Sequence, residues 1–192
     1  MSALPKPSER QMSVAEFCAW AEAQPERWEL VDGFPVAMAP ANRTHGAIQA
    51  ELCHLITAGL IESGSACSVI GAPGVIPHVR ANANVRIPDI AVCCSNYDAE
   101  QAALTDPTVL IEILSPSNAS RTWGNVWTYT TIPSVLEIAV FETAAISALL
   151  LRRLPEGGWP KEPELVESGD VSFQSLSVRF PLAAAYRTTR LA

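Results

Sequence analysis

Val109-Leu110-Ile111-Glu112-Ile113-Leu114 is the most apolar run in the chain, and it holds a carboxylate in its middle. A run that is apolar without alternation predicts a strand buried on both faces, at the centre of a sheet. The residues that follow, Ser115-Pro116-Ser117-Asn118, read as a loop that can cap a helix over about Ala119 to Thr130. Beyond that helix, Val135 to Phe141 and Ile146 to Arg152 read as two more strands. Upstream, Ala66 to Val79 and Ala83 to Cys94 read as strands joined by a turn at Arg80-Ala81-Asn82. These elements predict an α/β (α+β) domain with a mixed central sheet flanked by helices.

The N-terminal part adds a second pattern. Ser13 followed by Glu16 is a capping box, and Val14, Phe17, Cys18 and Ala21 recur at helical spacing before Pro25. Asp32-Gly33 joins the strand-like runs 27–31 and 34–38, a strong hairpin signal. Asn42 or Thr44 can cap a longer helix over about His45 to Glu62, with Ile48, Leu52, Leu55, Ile56 and Leu60 on one stripe and Gly64 as its stop. Residues 1–11 carry Pro5 and Pro7 without periodicity and read as a disordered arm, leaving 12–192 as one domain. The tail, with Gly157-Gly158-Trp159-Pro160 and a closing Val178 to Tyr186 segment, reads as loop-rich.

Composition narrows the function classes. The chain has 192 residues, 48% of them hydrophobic and 17% charged, enough to bury a core. Thirteen Lys and Arg against twenty Asp and Glu give a net charge of −7, which disfavours a broad basic coat and makes any nucleic-acid site a local one. The five cysteines show no metal-ligand spacing, and the N-terminus has no apolar core of a signal peptide; both predict a reduced, cytoplasmic protein without structural zinc. No apolar run reaches the roughly 20 residues that a membrane span needs.

Three acids stand in apolar strands. Glu112 requires a cation, hydrogen-bond donors or water, because a bare buried carboxylate protonates. Asp89 follows Pro88 inside Val85-Arg86-Ile87-Pro88-Asp89-Ile90-Ala91-Val92 and poses the same question. If the two strands lie side by side, Asp89 and Glu112 share one pocket, and like charges there call for a cation between them. Two compensations are open: a hard divalent ion, Mg²⁺ or Mn²⁺, or an arginine for each acid, with Arg86 and Arg121 nearby in sequence. Glu29 lies beside Trp28 and Leu30 and reads either as a third member or as a solvent-facing strand residue. His45 lies on the stripe of Ile48 and Leu52 and reads as a group turned inward or as a helix-end hydrogen-bonder.

The ordered motifs Trp28-Glu29-Leu30-Val31-Asp32-Gly33, Pro40-Ala41-Asn42-Arg43-Thr44-His45-Gly46, Pro88-Asp89 and Ile111-Glu112-Ile113-Leu114-Ser115-Pro116-Ser117 resemble the Uma-two-type restriction endonucleases of the PD-(D/E)XK superfamily. The resemblance covers about Met12 to Arg187. It implies a restriction-endonuclease-like core with an N-terminal helix and hairpin, a divalent ion usually taken as Mg²⁺, DNA phosphodiester hydrolysis by a metal-activated water, and a homodimer. Position by position, it implies that Asp89 and Glu112, 23 residues apart, are metal-binding acids, with Glu29 completing the site and His45 contacting substrate or assisting.

The chain departs from that pattern at the lysine. Where the superfamily expects Lys two residues after the acid, Leu114 stands; the position four before Tyr129, where relatives frequently keep a lysine, is Asn125. The chain's lysines are Lys6 and Lys161, in the arm and the tail. Asn125 can hydrogen-bond a water, and Arg121, one helical turn earlier, offers a fixed cation that stabilises phosphate but cannot act as a base. Trp123 and Trp127, spaced for one helix face, read as core or dimer interface, or as a stacking surface for bases. The leading expectation is a metal-dependent DNA endonuclease. Its competitors are an inactive nuclease-fold binding or assembly module and a small-molecule phosphoesterase.

Overall fold

The computed structural model describes residues 11–95, 102–116 and 118–191. The arm expected over residues 1–11 therefore lies, except for Gln11, outside the described residues, as does Ser117 of the loop after the apolar run.

Helix α1 (Val14–Ala21) begins with the expected capping box: Ser13 Oγ accepts from the Glu16 amide at 3.3 Å and Glu16 Oε2 accepts from the Ser13 amide at 2.9 Å. Strands β1 (Trp28–Val31) and β2 (Phe34–Ala37) form the hairpin across Asp32 and Gly33, both at positive φ, the backbone that a tight two-residue turn demands. Helix α2 (Arg43–Glu62) is capped by Asn42, whose Oδ1 accepts from the His45 amide at 2.9 Å.

The central sheet has six strands: β3 (Ser68–Gly71), β4 (Ile90–Cys93), β5 (Val109–Leu114), β6 (Glu137–Glu142), β7 (Ala148–Arg152) and β8 (Glu164–Val166), in that spatial order. Pairing is antiparallel throughout except between β5 and β6, which are parallel. Helix α3 (Ala119–Tyr129) makes the crossover that a parallel pair requires. Every residue of β5 is buried, as its unbroken apolar run predicts. Its odd positions, Val109, Ile111 and Ile113, join α2 residues Ile48, Leu52, Ile56 and Leu60 in one core layer. Leu110 and Leu114 join Val126 and Tyr129 of α3 in the other. The period of two thus aims Glu112 at α3.

Three expectations need correction. The long strands over 66–79 and 83–94 shrink to β3 and β4, because Pro73, Pro77 and Pro88 have no N–H to give a ladder. What remains between them are isolated bridges, Val75 to Arg86 and Leu30 to Val85. The tail is more regular than expected: it supplies β8 and the antiparallel hairpin β9 (Asp170–Phe173) and β10 (Val178–Pro181). Buried Glu137 anchors this hairpin by accepting from the amides of Gln174 and Ser175 at 3.0 and 2.9 Å. Finally, the thiols are not all free: Cys67 and Cys94 form a disulfide one step beyond the Ser68–Cys93 register pair, whereas Cys18, Cys53 and Cys93 remain unpaired. Strand register brought together two cysteines that no spacing rule connects. No helix among the described residues is long and apolar enough to cross a membrane.

Candidate functional site

Strand register creates the site. Ile90 of β4 lies opposite Ile111 of β5, and the antiparallel count continued by one residue sets Asp89 opposite Glu112. Asp89 turns back onto β5: its Oδ2 accepts from the Ile113 amide at 2.6 Å. Its Oδ1 lies 3.1 Å from Nε2 of His45, at the start of α2, and its carbonyl accepts from Gln49 at 2.7 Å. His45 Nδ1 is buried with no hydrogen-bond partner among the described residues, so the ring's polar contact is the one that Nε2 makes to Asp89.

Glu112 is held from α3. Its Oε1 accepts from the Tyr129 hydroxyl at 2.7 Å and from Asn125 Nδ2 at 3.4 Å, whereas Oε2 meets no donor among the described residues. Burial and then the charge of Asp89 push its pKa well above the ordinary carboxylate range, with Glu29 adding to the rise; the bonds from Tyr129 and Asn125 pull the other way. Burial, and next the charge of Glu112, push the Tyr129 phenol upward as well, so it stays a donor.

Glu29 is fully buried on β1, which rules out the solvent-facing reading of that strand position. Oε1 accepts from the Ile87 amide and from Asn125 Nδ2, both at 3.0 Å. Oε2 accepts from Arg121 Nε at 2.9 Å and Nη2 at 2.7 Å. Four donors thus occupy its two oxygens, and Arg121 is further tied to the Ala37 carbonyl at 3.1 Å. Asn125 bridges Glu29 and Glu112 where a cation would face both acids.

Glu29, His45, Asp89, Glu112, Arg121 and Asn125 all line one cavity of about 720 Å³ between the hairpin, α2 and α3. The sequence singled out all six. Leu114 is buried, and Lys161, the one lysine among the described residues, is exposed and does not line the cavity. Trp123 packs partly against the α3 core layer, while Trp127 is 55% exposed, so the pair is not core. Sequence reasoning missed Tyr129 and Gln49 as site residues. Tyr129 had a signal: it falls one turn after Asn125, on the same helix face.

Among the described residues, no group of three or more His, Cys, Asp or Glu is arranged to hold a metal ion. Asp89 and Glu112 still suit a hard cation. Both are oxygen ligands of like charge lining the same cavity, and Glu112 Oε2 has no donor among the described residues; Mg²⁺ is typically held by one or two carboxylates with waters filling the rest. Glu29 has no such free oxygen and serves Arg121 instead.

A family model described as Uma2, putative restriction endonuclease, matches residues 14–184. Uncharacterized protein slr1290 of Synechocystis sp. is 26% identical over 151 residues, 78% of this chain and 78% of that protein. The crystal structure of a putative nuclease belonging to DUF820, from Anabaena variabilis, superposes with a TM-score of 0.71 at 16% identity, covering 92% of this chain and 98% of that one. At that identity the likeness concerns the fold: the same mixed sheet with flanking helices.

Proposed function

Because the chain belongs to the Uma2 family of putative restriction endonucleases, we propose that its cavity is a nuclease active site hydrolysing DNA phosphodiester bonds with a divalent ion, Mg²⁺ or Mn²⁺. One observation carries this reading: Asp89, the residue just before β4, and Glu112 of β5 line one cavity, and Glu112 Oε2 meets no donor among the described residues. Asp89 and Glu112 would hold the ion. When bound, it supplies a water of lowered pKa and stabilises charge growing on a phosphate oxygen.

The chain's own groups divide the remaining work. His45 and the Ile113 amide fix Asp89, while Tyr129 and Asn125 fix Oε1 of Glu112 and leave Oε2 without a donor among the described residues. Arg121, about one-third exposed, presents a guanidinium to an incoming phosphate, and Glu29 as accessory acid keeps it aimed. Asn125 can orient a water through its amide but adds no charge. With a net charge of −7, DNA would meet this protein at the cavity and not over a broad surface. We also propose the homodimer that the family resemblance implies.

The test is incubation of the purified protein with supercoiled, linear and single-stranded DNA in Mg²⁺ or Mn²⁺, with Glu112→Ala as control. Cleavage by the wild type alone supports the reading. A second reading, a nuclease-fold binding module without turnover, draws on Leu114 and Asn125 standing where the pattern expects lysine. DNA retention without cleavage would favour it. Cleavage of a nitrophenyl phosphodiester with DNA left intact would instead favour a small-molecule phosphoesterase.

A further inference from the structure

Helix α3 meets the cavity with its N-terminal turn, and that turn is left open. Asn118, Arg121, Thr122 and Asn125, spaced to share one helix face, all line the cavity. Ser13 and Asn42 cap α1 and α2 with side-chain oxygens, whereas Asn118 makes no side-chain cap bond to α3. Its Oδ1 is turned back instead, accepting from the Ser115 amide at 2.7 Å. The first amides of α3 therefore have no capping acceptor at the positive end of the helix dipole, and no acid stands in the first turn. The other end of the same side chain, Asn118 Nδ2, donates to no described residue.

A second observation, independent of the helix end, points the same way. Thr122 is only 3% exposed and lines the cavity, yet its hydroxyl makes no hydrogen bond with any described residue. A buried threonine on a helix commonly bonds the carbonyl four residues back. Here the Asn118 carbonyl accepts the Thr122 amide, at 2.9 Å, and not the hydroxyl. Helical side chains lean toward the N-terminus, so Thr122 is aimed at the uncapped turn. The open groups are thus N–H donors and one hydroxyl, a set that suits an anion with several oxygens. Thr122 and Asn118 precede Asn125, which bonds Glu112, by three and seven residues. At the helical rise this is roughly 4–10 Å along the axis. An anion held there is a different group from the one hydrolysed at the acids.

We infer that the uncapped N-terminal turn of α3, with Thr122 Oγ1 and Asn118 Nδ2, is a second phosphate subsite, which takes the phosphate one nucleotide away from the cleaved bond. This rests on the reading of the cavity as a phosphodiester site. The test measures, by calorimetry on the full-length protein, the affinity for three probes: dithymidine phosphate, the same compound with a 5′-terminal phosphate, and trithymidine diphosphate. Ca²⁺, a hard cation with the same preference for oxygen ligands, replaces Mg²⁺. An added phosphate should tighten binding by the wild type about tenfold. A gain with the trimer alone assigns the subsite to an internal diester, and a gain with the 5′-phosphorylated dimer alone assigns it to a strand end. Thr122→Val should remove most of the gain and leave dithymidine phosphate unaffected, while Thr122→Ser should keep it. Asn118→Asp retains the acceptor for Ser115 but replaces the open donor with an anion. It should abolish the gain without lowering the melting temperature, because a carboxylate suits a helix N-terminus. A merely structural role would instead lower stability and all three affinities together, which would overturn the inference. No gain from the added phosphate, or a gain that Thr122→Val and Asn118→Asp leave intact, would also overturn it, while binding of dithymidine phosphate would still spare the phosphodiester reading. Absence of binding by all three probes would overturn both.

Discussion

The Tyr129 hydroxyl donates to Oε1 of Glu112 at 2.7 Å, a bond buried in the core layer between β5 and α3. It joins the last residue of a helix to the middle of the central strand and engages Oε1, leaving Oε2 without a donor among the described residues. Tyr129→Phe should cost about 1–2 kcal/mol of stability, the usual effect of removing a donor from a buried charged group. It should also weaken Mn²⁺ binding several-fold. Urea denaturation and calorimetry would read the two effects, and unchanged metal affinity would remove the positioning role.

Glu112 gives the metal-free protein a definite pH dependence. Its folded pKa is raised, chiefly by burial, above the roughly 4.3 of an unfolded glutamate. Between those two values the folded state holds a proton that the unfolded state has lost, so stability falls as pH rises through that window. Glu112→Gln should flatten this part of the stability profile. Cation binding would expel the proton, so Mn²⁺ affinity should rise with pH, and its apparent enthalpy should depend on the buffer. Buffer-independent enthalpies below neutrality would contradict this.

Glu29 and Arg121 should behave as one unit. Arg121→Ala leaves a fully buried carboxylate without its cation, an uncompensated charge worth about 3 kcal/mol or more. Adding Glu29→Gln should recover much of that loss, with a coupling energy of at least about 1 kcal/mol in a double-mutant cycle. Additive losses would mean that the pair makes no joint contribution.

Asn125 tests the missing cation. Its amide already bridges Glu29 and Glu112, so Asn125→Lys sets an ammonium between two acids where the present residue contributes no charge. DNA cleavage in Mg²⁺ should rise at least about tenfold, since removal of such electrostatic help costs a comparable or larger factor elsewhere. A gel assay against the wild type reads this. An unchanged or slower rate would show that Arg121 already supplies what the site needs.

Most of the site was legible because its signals were local contradictions: acids inside apolar runs, at Glu29, Asp89 and Glu112. Helices α1 and α2 and the β1–β2 hairpin were legible through caps and turn residues that act within a few positions. What stayed hidden depended on register and on distant packing. Cys67 and Cys94 meet because β3 pairs with β4 in one particular alignment. Glu29 was expected as a third metal ligand, yet its oxygens are taken by Ile87, Asn125 and Arg121, which lie 58 to 96 residues away. Strand β8 is three residues long and carries too little pattern to be seen.

Diffraction from crystals soaked in Mn²⁺ is the most direct examination of the idea that Asp89 and Glu112 share one dication. An anomalous peak roughly 2.2 Å from a carboxylate oxygen of each, with Glu29 still bound to Arg121, is the expected map. A peak elsewhere, or none between those two acids at saturating Mn²⁺, would contradict the assignment.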